Sequence, residues 1–144
     1  MEDVTPTPAF ANDCKIAVVL LEELETWQRF NVTAFTISGV AAQPGVVGEY
    51  YSDASGKAYL PMFNEPVLVF GASREEMKRT AARAGTRDVI FSVFTQDLFN
   101  TFNDADNRAA VAAVPTEELD IAGLAFRCDR KTADKILKGL KLLC

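Results

Sequence analysis

Every residue from Ile16 to Leu21 is apolar. A short run without alternation predicts a strand over residues 15–21, covered on both faces of a sheet. After an acidic turn of Glu22, Glu23 and Glu25 the pattern changes period. Trp27, Phe30, Ala34, Ile37 and Ala41 recur at steps of three and four, predicting a helix from about Thr26 that is halted near Gln43-Pro44-Gly45. That stripe places Trp27, Phe30 and Ile37 mainly in the core.

Residues 45–66 are irregular and aromatic. The Asp53-Ala54-Ser55-Gly56 turn between Tyr50-Tyr51 and Tyr59-Leu60 suits a loop or small hairpin. A second strand follows at 67–70. Ser73 and Glu76 then have capping-box spacing for a helix that runs to Gly85. Residues 88–95 read as a third strand. A further helix starts at Asn103 or Asp104, carries Ala105, Ala109 and Ala112 on one face, and is halted by Pro115. The fourth strand spans 121–126. Asp129 caps a last helix with Ala133, Ile136, Leu137 and Leu140 inward and Lys131, Lys135 and Lys138 outward, and Gly139 closes it. Strands alternating with helices predict an α/β layered sandwich on a mostly parallel or mixed sheet. We expect one domain over residues 14–144, preceded by a mobile tail over residues 1–13.

With 144 residues and about half of them apolar, the chain needs no disulfide or metal to hold its core. A net charge of -5 argues against general affinity for nucleic acid or anionic membranes. No apolar run approaches the ~20 residues of a membrane helix, and the first dozen residues lack the pattern of a secretory signal. A cytoplasmic location follows by default. Cys14, Cys128 and Cys144 are odd in number and widely spaced, as free thiols in a reducing compartment are.

Histidine is absent. This removes Ser-His and Cys-His dyads and imidazole metal sites, so we assign no metal, no cofactor and no catalytic residue. The acidic turn reads as a solvated first turn rather than a cation site. Gly71-Ala72-Ser73-Arg74 reads as a capped helix start rather than an anion site. Two basic runs, one from Arg74 to Arg87 and one from Arg127 to Lys141, read as solvated helix faces. Cys14 and Cys128 would be near each other if their strands were adjacent and antiparallel. A small-molecule ligand would find converging polar groups past the carboxyl ends of the first and third strands: Glu22, Thr26 and Asn31, then Thr95, Gln96 and Asp97. Asn107 and Arg108 would close over that crevice. Tyr50, Tyr51, Tyr59 and Phe63 are more aromatics than a loop needs and point to a homodimer interface.

Five segments carry a family resemblance: Lys15-Ile-Ala-Val-Val, Trp27-Gln-Arg-Phe-Asn-Val-Thr-Ala-Phe, Tyr59-Leu-Pro-Met-Phe, Asn107-Arg-Ala-Ala-Val, and Asp134-Lys-Ile-Leu-Lys-Gly-Leu-Lys-Leu-Leu. In this order and spacing the chain resembles the uncharacterised family called domain of unknown function 2000, over residues 14–143. That family is similar in fold to the type-two peptidyl-tRNA hydrolases. The resemblance implies a three-layer α/β/α sandwich on a mixed four-stranded sheet. The hydrolases' glycine- and lysine-rich turn is replaced here by Glu25-Thr-Trp-Gln-Arg-Phe. Of their Asp-Ala-Gly-x-Thr-Gln strand motif only Thr95-Gln96 is left, which removes the groups expected to stabilise a developing charge. Three readings follow: a non-catalytic ligand-binding or interaction module, a hydrolase with a rebuilt carboxylate-based site, and a vestigial hydrolase. Peptidyl-tRNA hydrolysis is expected to be absent.

Overall fold

The unbroken apolar run becomes β1, Cys14–Leu21, the centre of a sheet in a computed structural model that describes residues 13–143. Its side chains from Ile16 to Leu21 are at most 1% exposed, as a strand covered on both faces requires. Two further strands flank β1. β4, Val67–Ala72, is parallel to it, with Val18 opposite Val69; β6, Ile121–Asp129, is antiparallel, with Val18 opposite Ala125. β5, Ser92–Thr95, pairs antiparallel with β6 at one edge. β7, Lys141–Leu142, pairs antiparallel with β4 at the other. The order is β5-β6-β1-β4-β7. The sheet is mixed as expected but has five strands, not four, because the terminal Lys-Leu adds to the β4 edge.

Helices cover both faces. α1, Thr26–Ala41, packs on β1, β5 and β6, on the side of Leu20, Gly123 and Ser92. α2, Arg74–Thr86, and α4, Arg130–Ile136, pack together on the other side, where Lys15 Nζ donates to Asp134 of α4 at 2.6 Å.

The face that α1 buries is not the predicted stripe. Val32, Thr36 and Val40 are inside, whereas Trp27 is 57% and Phe30 71% exposed, and Ile37 alone of the three predicted residues packs on the core. The reason is clearance. A Cβ added at Gly39 would overlap Ser92 Oγ, and one added at Gly123 would overlap Val32 Cγ1, so the helix lies too close to the sheet for aromatic rings beneath it. Slim β-branched residues fit there. Thr36 satisfies its hydroxyl by donating to Val32 O at 2.8 Å.

The 45–66 segment does contain a small hairpin, β2 Tyr51–Ser52 with β3 Ala58–Tyr59, turned at Asp53 to Gly56. The Ser73–Glu76 capping box forms in both directions, at 2.9 and 3.1 Å. β5 starts at Ser92 rather than at residue 88, because Asp88 adopts φ 56° and breaks the extended chain. α3, Asp104–Ala112, is capped by Asn103, which accepts from Asp106 N at 2.8 Å; its Ala105, Ala109 and Ala112 face solvent. Asp129 caps α4 and Gly139 ends the following turn at φ 92°. The residues expected as a tail lie outside the described residues apart from Asp13, as does Cys144.

Cys14 and Cys128 sit on adjacent antiparallel strands, yet Cys14 is opposite Asp129 and Cys128 opposite Lys15. Side-chain alternation sends the two thiols to opposite faces of the sheet, so they do not form a pair. Beside Cys14, Arg127 makes a two-point ion pair with Glu65, its Nε and Nη2 donating at 2.7 and 2.9 Å. The Glu65 side chain is only 5% exposed.

Candidate functional site

Trp27, Asn31 and Phe35 are spaced i, i+4, i+8 and share the flank of α1 beside its buried face. Across from them stand β5, the 3₁₀ turn Gln96–Asn100 and α3. The gap between these elements is a continuous crevice with two lobes. The lobe at Trp27 holds about 450 Å³ and the lobe at α3 about 460 Å³, and Phe35, Phe94, Leu98, Asp104 and Asn107 line both.

Aromatic rings build its walls. Trp27 and Phe99 meet edge to face, with centroids 5.8 Å apart at 72°; Phe94 and Phe99 are 4.9 Å apart at 56°, and Phe35 and Phe94 6.0 Å at 49°. Phe94 is buried as the floor. Trp27, Phe35 and Phe102 keep more than half their surface open to solvent at the mouth. Glu25 accepts from Trp27 Nε1 at 3.1 Å while its own N–H donates to Gln28 Oε1 at 2.9 Å, so the start of α1 fixes the indole.

Polar groups are few. Thr101 Oγ1 donates to Asn107 Oδ1, and Arg108 Nε donates to Asp104 at 2.7 Å. That carboxylate raises the Arg108 pKa above its ordinary value, by hydrogen bonding first and charge second. The Asn31 amide, half-buried and facing the Trp27 lobe, makes no hydrogen bond among the described residues. An amide in that position is free to bind a ligand.

Of the eight residues expected around a ligand, Asn31, Asn107 and Arg108 line this crevice. The other five do not. Thr26 lies in a shallow groove with Trp27 and Phe30. Glu22 donates its N–H to Ala72 O at 2.9 Å and rests its side chain against Gly71. Gln96 N donates to Asp120 O at 2.8 Å, and Asp97 is exposed. Thr95 is 2% exposed, with a hydroxyl oxygen lacking a partner among the described residues. The carboxyl ends of β1, β4 and β5 do share one end of the sheet. There Arg74 spans the gap, donating to Glu23 at 2.9 Å and Asp120 at 2.7 Å. With its guanidinium so engaged, the Arg74 helix start is a cap, and its pKa is raised first by the Glu23 hydrogen bond.

Phe35, Phe94, Phe99 and Phe102 were missed from sequence. The i, i+4, i+8 spacing of Trp27, Asn31 and Phe35 was a visible signal, but the opposing wall depends on how the segment after β5 folds back. No hydroxyl lining the crevice is hydrogen-bonded to a carboxylate among the described residues. Among those residues no group of three or more Cys, Asp or Glu is placed to hold a metal ion. Burial pushes the Cys128 thiol up to about 11 and raises Cys14 too, so both are held as thiols rather than nucleophiles. The arrangement suits shape-selective binding of an apolar or flat group. Most members of the two basic runs fall on or beside α2 and α4, across the sheet from the crevice, where Arg83 Nη1 donates to Lys138 O at 2.8 Å, but Arg127 lies in β6 paired with buried Glu65 and Lys141 lies in β7, so these two are not on a solvated helix face.

No helix among the described residues is long and apolar enough to cross a membrane. A search of curated proteins found no match. Among solved structures, one described as a protein of unknown function, Atu0240 from Agrobacterium tumefaciens strain C58, is similar to this chain at 39% identity and a TM-score of 0.88, covering 92% of this chain and 98% of its own. A profile of the family described as protein of unknown function (DUF2000) matches residues 14–144. The chain therefore belongs to the DUF2000 family.

Proposed function

We propose that this protein is a non-catalytic ligand-binding module, acting as one unit over residues 14–144, whose site is the crevice between α1 and α3. The observation that carries this is the Asn31 amide, which lacks a partner among the described residues and faces a lobe walled by Trp27, Phe35, Phe94 and Phe99. Rings supply contact area for a small apolar or flat molecule, and a few amides orient it. Asn31, Asn107 and Arg108 face the ligand in this reading, and Glu22, Thr26, Thr95, Gln96 and Asp97 do not.

We read the fold as type-two peptidyl-tRNA hydrolase-like with the hydrolytic groups gone, working in the cytoplasm without nucleic acid. A thermal-shift screen of small flat heterocycles tests the site. Compounds that raise the Tm of the wild type but not of Asn31→Leu support it, and hits that ignore Asn31 count against it.

A second copy is the partner we assign to the hairpin. Of the aromatics expected at that interface Phe63 packs on the core instead, while Tyr50, Tyr51 and Tyr59, with Leu60 and Met62, are exposed around two strands of two residues each, too little structure to need five large apolar side chains for itself.

A further inference from the structure

Resting on the crevice as a ligand site, we infer that its preferred occupant is an organic cation of the methylated or quaternary ammonium class, seated in the corner between Trp27 and Phe99. Those rings stand 72° apart in plane, with Phe94 completing the corner 4.9 Å from Phe99. Aromatic faces carry negative potential, and the Trp27 ring, 57% exposed where it meets Phe99, offers a cation entering the lobe an open aromatic surface.

The charges agree in sign. Asp104 is the one charged side chain lining the Trp27 lobe, and Arg108, which pairs with it, lines the other lobe. In the groove on the other side of Trp27 the one charged residue is Glu25, whose carboxylate accepts from the indole N–H. The chain as a whole is segregated in the same way. Nine of its fifteen Lys and Arg fall in α2, α4 or within two residues of them, on the helices across the sheet from the crevice. An anion would meet the Asp104 and Glu25 carboxylates, themselves engaged by Arg108 and by the Trp27 indole, and no unengaged cation.

Methylation follows from what the corner lacks. A bare ammonium is strongly hydrated and needs hydrogen-bond acceptors in place of that water, whereas in this lobe Asn103, Asn107 and Thr101 are already hydrogen-bonded to protein groups, which leaves rings, one carboxylate and the Asn31 amide. A trimethylammonium head spreads its charge over methyl groups that pack on rings and donates no hydrogen bond. Asn31 is then left to take a hydroxyl or carbonyl on the ligand's tail.

Trp27 is the chain's single tryptophan, so its fluorescence reports the corner directly. Choline and its uncharged isostere 3,3-dimethylbutan-1-ol are titrated into the wild type and into Asp104→Asn, with circular dichroism confirming that the variant folds. Choline should quench Trp27 saturably and bind about tenfold more tightly than the alcohol, the scale of a cation held on an aromatic face. Asp104→Asn should weaken choline severalfold and leave the alcohol unchanged. Equal affinity for the two compounds, or binding of neutral heterocycles in the crevice with none of choline, overturns the cation assignment and leaves the site reading standing. If neither cations nor neutral heterocycles disturb Trp27 or its neighbours, both fall.

Discussion

Gly123 lies directly beneath Val32: a Cβ on the glycine would overlap Val32 Cγ1 and come within 3.1 Å of the backbone at Val19 O. This contact sets how closely α1 approaches β6, and so how the Trp27-Asn31-Phe35 flank stands over the crevice. Gly123→Ala should destabilise the protein by about 1–3 kcal/mol, the usual effect of overpacking where backbone cannot give way. Urea denaturation measures the loss. A variant as stable as the wild type would mean that the helix rides higher on the sheet.

Trp27→Ala should cost less than about 2 kcal/mol, because the ring is 57% exposed and loses mainly its edge contact with Phe99. Ligand binding should fail nonetheless. Thermal unfolding and titration of the same sample separate the two effects; a loss of 3 kcal/mol or more, of about the size expected for a buried aromatic, would return Trp27 to the core.

Arg127→Ala should be far more damaging, by about 3–5 kcal/mol, since it leaves the Glu65 carboxylate buried without its partner. Replacing both residues together, as Glu65→Leu with Arg127→Met, should recover most of that loss. If the single and double variants unfold at the same urea concentration, the damage comes from lost packing and not from an orphaned charge.

The thiols carry a pH dependence. Burial holds Cys128 up to about 11, with Asp129 adding to it, against an ordinary 9.0. The folded state therefore keeps this proton where the unfolded chain has lost it, and stability should fall as pH rises from 9 toward 11. Comparing urea midpoints of the wild type and Cys128→Ala at pH 8 and pH 10.5 isolates the effect. Iodoacetamide at pH 8 should label Cys14 and Cys128 slowly, and mild oxidants should produce no disulfide between them. Rapid labelling of either thiol, or a wild type and variant with the same pH response, contradicts the burial assigned here.

The order of elements was legible in the sequence because long apolar runs, capping pairs and glycine stops act locally. Ser73 with Glu76 and Asp129 serve as read, while Gly139 closes the turn after the last helix, which itself ends at Ile136. What the sequence hid depends on partners distant in the chain. Lys141–Leu142 is a strand only because Phe70 and Gly71 offer it an edge. On α1 two stripes compete, and the aromatic one is the more conspicuous; the close approach at Gly39 and Gly123 decides for the slimmer one. The crevice shows the same division. Asn31 and Asn107 were legible as convergent polar groups, while the phenylalanine walls come together only when the 3₁₀ turn and α3 fold back beside α1.

Chemical-shift mapping with indole as a neutral probe asks whether the crevice is where this protein meets a ligand. Saturable shifts should cluster at Trp27, Asn31, Phe99 and Asn107, with the faces around Arg74 and Lys131 undisturbed. Shifts confined to the Arg74 or Lys131 faces, or none at millimolar indole, would contradict the crevice site.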